Sequence, residues 1–235
     1  MTFSMLPGDP RQAALGTLLR ADGHEVVPYS PGQAADFFVF PLPTGAHPAL
    51  SALPEGSVAL AALPSGDYPH LRLIDYYRGE ALLVRNAAIT AEGALGLAMA
   101  ASDRTLWGSR ALVAGYGRIG RALSARLLAL GAHTTVYARK EADRAWAAES
   151  GCETLAALPP LPQNYDFIFN TVPALVFAET PEAVCVELAS PPGGFRSKAG
   201  VIAGGGLPGR TAPLSAALAL REAIYRALKE ENLLC

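Results

Sequence analysis

The sequence predicts an α/β chain: a C-terminal doubly wound parallel sheet plus a smaller N-terminal α/β domain, with a cleft between them. Three observations lead there. Short apolar strands alternate with helical stretches along most of the chain. Arg110–Lys140, RALVAGYGRIGRALSARLLALGAHTTVYARK, sets a glycine-rich turn between a strand and a helix. A last amphipathic segment, Pro213–Glu230, with Leu214, Leu218, Ile224 and Leu228 on one face, suits a helix that returns to the N-terminal domain.

The N-terminal part is read as follows. Thr2–Leu6 is a short strand. Asp9 as N-cap, Pro10 at N1 and Gln12 in a capping-box position start a helix that runs to about Asp22, with Gly23 past its end. Glu25–Tyr29 is a second strand, and Pro31-Gly32 turns the chain. Asp36–Phe40 and Ser57–Ala61 are buried strands between Pro-rich loops. Tyr68–Tyr77 is expected as helix and Ala81–Arg85 as strand. Pro41, Pro43, Pro48, Pro54, Pro64 and Pro69 keep this half poor in helix. Thr90–Asp103 is an Ala-rich helix with Thr90 near its cap. Its Gly93 and Gly96 cost helix stability and are expected at close packing contacts. The predicted division is residues 1–88, a connecting helix 89–107, and a second domain 108–212, with 213–230 returning to the first.

In the second domain, strand Ala111–Ala114 runs into Gly115-Tyr116-Gly117-Arg118-Ile119-Gly120. A helix follows, with Ile119, Leu123, Leu127 and Leu130 at one-face spacing, and Gly131 ends it. A strand from His133 to Ala138 comes next. Strand, GxGxxG, helix and strand in this order are the dinucleotide-binding Rossmann pattern. Gly115 permits the tight turn, Gly117 lets a pyrophosphate approach the backbone, and Gly120 lets helix and sheet pack. The plainer alternative is a structural βαβ unit without ligand.

The end of that strand bears on the cofactor. An NAD site usually carries an acid there, about 20 residues beyond the glycines, for the ribose 2′-hydroxyl. Here Arg139 and Lys140 stand in its place, and no acid comes before Glu141. Arg and Lys suit a 2′-phosphate, so NADP is favoured over NAD. The alternative is two solvated charges at a loop start.

Beyond Lys140 come a polar helix to about Ser150 and a loop with Pro159, Pro160 and Pro162. Three strands follow, Asp166–Asn170, Ala183–Leu188 and Val201–Ala203. Their carboxyl ends, Thr171-Val172-Pro173, Ser190–Gly194 and Gly206–Arg210, face the nicotinamide region of such a sheet, although Gly and Pro also suit ordinary turns.

Composition narrows the class. The chain has 235 residues, net charge −2 and 51% hydrophobic residues, enough for a substantial core. No basic patch points to nucleic acid, and no apolar run of bilayer-spanning length or signal peptide is read, so a cytoplasmic protein is expected. Cys152, Cys185 and Cys235 lack paired spacing and read as free thiols. The four histidines are scattered, and no metal site is expected.

Six motifs together resemble the A subunit of dipicolinate synthase, a bacterial spore-formation family. They are Gly8-Asp9-Pro10-Arg11-Gln12, Thr90-Ala91-Glu92-Gly93, Gly115–Gly120, Asn170-Thr171-Val172-Pro173, Leu188–Gly194, and Gly206–Gly209 with Ala212-Pro213. The layout also resembles, more distantly, 2-hydroxyacid and shikimate dehydrogenases. The chain departs from the family in a shorter N-terminal half, between about Ser30 and Ser57, and in Ala212-Pro213-Leu214-Ser215-Ala216-Ala217, where the family tends to have Thr and Gly late in the run.

The resemblance implies an NADP-dependent oxidation of dihydrodipicolinate to dipicolinate, carried out with the flavoprotein-like B subunit of dipicolinate synthase. A homo-oligomer is expected. Such chemistry needs a base, and cations for a small dicarboxylate. Glu92, Thr90 and Asp9 are the catalytic candidates, with Glu92 as base. Arg11, Asn86, Ser190 and Arg210 are the substrate-binding candidates. Gly115, Tyr116, Gly117, Arg118, Ile119, Gly120, Arg139, Lys140, Thr171, Val172 and Pro173 are the cofactor candidates. Capping alone also accounts for Asp9, Thr90 and Glu92, and Arg210 also suits a surface. Two other functions fit: an NADP-dependent 2-hydroxyacid dehydrogenase-like reductase, or a non-catalytic nucleotide-binding assembly subunit. The first is opposed by the absence of His after His133.

Overall fold

The computed structural model describes residues 1–159 and 162–234. Pro160 and Cys235, named above, lie outside the described residues. The chain divides into two compact units, Met1–Asn86 with Pro208–Cys235, and Ala87–Leu207.

The first unit is built on β1 (Thr2–Met5), β2 (Glu25–Pro28), β3 (Phe37–Val39), β4 (Val58–Ala61) and β5 (Arg72–Asp75). All pair in parallel, in the order β2-β1-β3-β4-β5, with Phe3 opposite Phe37. Helix α1 (Pro10–Ala21) starts where Asp9 accepts the Arg11 N–H at 2.9 Å. Gln12 does not close a capping box. It is buried against the sheet, and its amide donates to Val39 O at 3.1 Å. A buried amide needs a partner of its own, and the Val39 carbonyl, which also accepts the Leu6 N–H at 3.0 Å, supplies one on its second lone pair.

Residues 68–77 are not helical. They hold β5 and a 3₁₀ turn, Tyr76–Arg78, capped by Asp75. The edge of β4 offers β5 a full ladder, and tertiary pairing overrides the local preference. A short helix, α2 (Pro48–Ala52), was not anticipated. Ala81–Arg85 is no strand either. It opens α3 (Glu80–Ala100), so Thr90 is interior to a helix and not near its cap. Leu82, Ala87, Ala91, Ala94, Leu95 and Ala98 are buried at helical spacing, a stripe that continues straight through Thr90. Gly93 is buried, but Gly96 is exposed and faces open space, so packing does not account for it. By length and mean hydropathy α3 could cross a membrane. It is not the uninterrupted apolar run whose absence the sequence predicts, because Glu80, Arg85 and Glu92 break it, and a core helix reaches the same length and hydropathy. In unit two, its stripe packs into a core.

Helix α7 (Pro213–Glu230) packs on α1. Its buried face is not the Leu214–Leu218 one. Those two leucines are exposed, while Ala217, Ala219, Leu220, Ala223, Ile224 and Leu228 are buried with Phe3, Leu15 and Leu19. The alanines let the helix approach closely, so the contact is set by small residues that a search for large ones overlooks. Asp22 accepts from Arg221 at 3.0 Å and from the Tyr225 hydroxyl at 2.7 Å across the same contact.

The second unit holds six parallel strands: β6 (Arg110–Ala114), β7 (His133–Tyr137), β8 (Glu153–Leu155), β9 (Phe167–Asn170), β10 (Val184–Glu187) and β11 (Val201–Ala203). Their order is β11-β10-β9-β6-β7-β8. This is the doubly wound Rossmann order, which reverses between β6 and β9. Only β8 was unforeseen. Helices α4 (Arg118–Ala129) and α5 (Glu141–Glu149) follow β6 and β7. Leu130 does not extend the buried face of α4. It is the C-cap and exposed, and Gly131 turns the chain at φ +77°. Leu207–Thr211 forms a short helix, α6, where a loop was expected. Cys152 and Cys185 are buried free thiols.

Candidate dinucleotide site

The apolar strand β6 ends at Ala114, and the next residue must turn sharply. Gly115 does so at φ +98°, a conformation that favours glycine. Thr171, just past β9, donates to Ala114 O twice, from its N–H at 2.9 Å and its hydroxyl at 2.8 Å. The two strand ends flanking the switch point are thus pinned together. Gly117 caps α4 without a side chain, and the space where a Cβ would project is open. A Cβ on Gly120 would instead run into the Gly115 carbonyl. The α4 N-terminus therefore sits directly behind the turn, with its amides facing an open cradle, the arrangement that binds a pyrophosphate.

A cavity of about 230 Å³ lies here. Gly115, Tyr116, Gly117, Arg139, Lys140, Thr171, Val172 and Pro173 line it, together with Tyr137, Ala138 and Asp143. Eight of the residues expected to hold a cofactor are thereby brought together. Arg118, Ile119 and Gly120 are not among the lining residues. They form the first turn of α4, where Ile119 packs against the core and Gly120 against the Gly115 backbone. Arg144 donates to Ala138 O at 2.9 Å and Arg139 O at 2.8 Å, fixing the turn that presents Arg139 and Lys140. Both cations are exposed. The donor set fits a nicotinamide dinucleotide: amides at a helix N-terminus, a glycine cradle, and two cations at the end of β7.

The remaining candidates lie in both units. In the first, Arg11 is buried and its guanidinium meets the Asp9 carboxylate at 2.5 Å. Burial pushes the Asp9 carboxyl up, but the hydrogen bonds and charge of Arg11 outweigh it and hold it below its ordinary value. A carboxyl so held is a weaker base. Gly209 lies against this pair, and exposed Arg210 follows it. Asn86 is half-buried on α3. In the second unit, Thr90 is buried, and Glu92 is exposed and accepts from Arg126 at 2.9 Å. Ser190 is exposed in the turn after β10, its carbonyl accepting from Gly193. Among the described residues, no group of His, Cys, Asp and Glu could hold a metal ion.

The sequence reading missed Asp143, Arg121, and the pair Asn170 and Glu187. The signal for Glu187 is a lone acid inside the apolar strand sequence AVCVEL, which demands buried partners.

The NAD binding domain family of the D-isomer specific 2-hydroxyacid dehydrogenases matches residues 85–183. The dipicolinate synthase A subunit of Bacillus subtilis (strain 168) is 31% identical over 173 residues, which are 68% of this chain and 58% of that protein. The chain is similar in sequence to the dipicolinate synthase A subunit. The sequence match spans less than two thirds of the Bacillus subtilis protein. The fold agrees over a greater extent. The crystal structure of the dipicolinate synthase A subunit from Bacillus halodurans aligns with a TM-score of 0.79 at 24% identity, over 97% of each chain. That of the Bacillus subtilis A chain aligns with a TM-score of 0.78 at 23% identity, over 99% of this chain and 97% of that one.

Proposed function

We propose that the chain is an NADP-dependent oxidoreductase of the same type as the dipicolinate synthase A subunit. It oxidises dihydrodipicolinate to dipicolinate, working with a flavoprotein-like B subunit in spore formation. The observation that carries this is the cavity at the strand-order reversal, where the glycine cradle, Arg139, Lys140 and Thr171–Pro173 meet.

When bound, the nicotinamide accepts a hydride from a ring carbon of the substrate, and a ring proton leaves as the ring becomes aromatic. The chain's residues bind, orient and move that proton. Backbone amides at the start of α4 hold the pyrophosphate. Arg139 and Lys140 take the 2′-phosphate, Arg as a planar fork and Lys as a point charge. Thr171, Val172 and Pro173 wall the nicotinamide side. Arg11, Asn86, Ser190 and Arg210 serve the two substrate carboxylates. Glu92, its position fixed by Arg126, is the candidate base, with Thr90 and Asp9 as the other catalytic candidates. A 2-hydroxyacid dehydrogenase chemistry has less support, because no histidine follows His133 to pair with an acid.

The test is a fluorescence titration of wild type and Arg139→Ala with NADPH and with NADH. Tight NADPH binding that falls in the variant, with NADH little changed, is expected. Binding of neither cofactor by wild type overturns the reading and leaves a nucleotide-free assembly subunit. Turnover of dihydrodipicolinate with NADP then tests the substrate.

A further inference from the structure

The cavity presents a conflict of charge. Arg139 and Lys140 suit an anion, but Asp143 also lines it and is the one acid among its described lining residues. Asp143 lies in the first turn of α5, where the helix dipole favours a negative charge. A bare carboxylate there opposes a doubly charged 2′-phosphate. It also suits the 2′-hydroxyl of the dephosphorylated cofactor.

Arg121 resolves the conflict. It projects from the first turn of α4, and three contacts fix its guanidinium. Nη2 donates to Asp143 Oδ1 at 3.2 Å, Nε donates to Tyr116 O at 3.1 Å, and the group lies over the Tyr116 ring, 5.2 Å from its centroid. Tyr116 itself lines the cavity and is buried. The arginine is thus tied to the glycine loop at one end and to the acid at the other.

We propose that Arg121 and Asp143 together set cofactor specificity: Arg121 engages the acid, so that the 2′-phosphate meets a net positive wall and the ribose hydroxyl of NADH finds no free carboxylate. The proposal rests on the cofactor reading above and assigns the discrimination to a pair whose two residues both lie outside Gly115–Gly120 in sequence. Ion pairs this exposed contribute little to stability. Their charge still acts on an anion bound in the cavity that Asp143 lines.

The full chain is titrated with NADPH and NADH as wild type, Arg121→Ala, Asp143→Asn and the double variant, with thermal melts as a folding control. Arg121→Ala is expected to weaken NADPH about threefold to fivefold and to leave NADH unchanged or improved. Asp143→Asn is expected to tighten NADPH. The double variant is expected to bind NADPH like Asp143→Asn alone, because removing the acid removes the need for its partner. Equal weakening of both cofactors by Arg121→Ala overturns the proposal, as does a double variant no better than Arg121→Ala. Loss of NADH affinity in Asp143→Asn also overturns it, since the acid would then be gripping the ribose. Binding of neither cofactor by wild type overturns the cofactor reading itself, and this pair's role with it.

Discussion

Asn170 donates to Glu187 at 2.6 Å, joining the last residue of β9 to the last residue of β10. The same Glu187 oxygen accepts the Ala189 N–H at 3.0 Å, and the other accepts the Gly194 N–H at 2.7 Å, with Lys198 at 3.5 Å. Asn170 also donates to Val172 O at 2.9 Å. One nearly buried carboxylate therefore organises both the 171–173 wall of the cavity and the turn that carries Ser190.

Replacing Glu187 by Gln turns one acceptor into a donor facing another donor, either Gly194 N–H or Asn170. The expected cost is about 1–3 kcal/mol of stability, the penalty for buried polar groups left unpaired. Urea unfolding measures it. A change inside about 0.5 kcal/mol would show that the turn rearranges freely.

The glycines of the turn are expected to separate into two classes. Gly120→Ala forces a Cβ against the Gly115 carbonyl and should cost about 1–3 kcal/mol as well as cofactor binding. Gly117→Ala meets open space at an ordinary φ, so the fold should keep its melting temperature while the new methyl group obstructs the pyrophosphate. Paired melts and NADPH titrations distinguish them, and a destabilised Gly117→Ala would contradict the assignment.

On α7, Ile224→Ala is expected to destabilise the chain by about 2–5 kcal/mol, since its side chain is fully buried among Leu15, Leu19 and Leu220. Leu214→Ala, on the exposed face, should stay within about 0.5 kcal/mol of wild type. Denaturant midpoints of the two variants provide the comparison.

The Asp9–Arg11 pair gives a pH dependence of known sign. Asp9 is held below its ordinary value of 3.8. Its contribution is therefore complete above the unfolded-state pKa and is lost as pH falls through the lower, folded value. Asp9→Asn is expected to flatten the stability profile on the acid side below about pH 4 and to leave its neutral-pH slope alone. Unfolding midpoints followed from about pH 6 to about pH 2.5 test this, and an unchanged acid limb would remove the pair from the account.

Much of the second unit was legible because its signals are local. Gly115, Gly117 and Gly120 are spaced by the geometry of one turn, and Ala111–Ala114 is a continuous apolar run because that strand is buried on both faces. The first unit was read less well because its elements are decided at a distance. Residues 72–75 become a strand only because β4 lies beside them, and Ala81–Arg85 joins a helix whose buried stripe continues past Thr90. Arg121 and Asp143 were invisible for the same reason: 22 residues separate them, and only the packing of α4 and α5 against the same strand, β7, makes them partners.

Unit one is interrupted in sequence, whereas unit two, Ala87–Leu207, is one uninterrupted stretch. During synthesis the ribosome delivers all of unit two before it delivers α7. Until then the first-unit core that Leu15 and Leu19 share with Phe3 and Val39 lacks its α7 side, Ala217, Leu220, Ile224 and Leu228. Unit two can complete its own sheet on the nascent chain while unit one waits, half-built, for its final helix. A translational stall or a premature stop between Leu207 and Pro213 would therefore leave an intact dinucleotide cradle attached to a sticky, unfinished sheet. Such a product is one that a cell's quality-control proteases would meet as a partly folded protein.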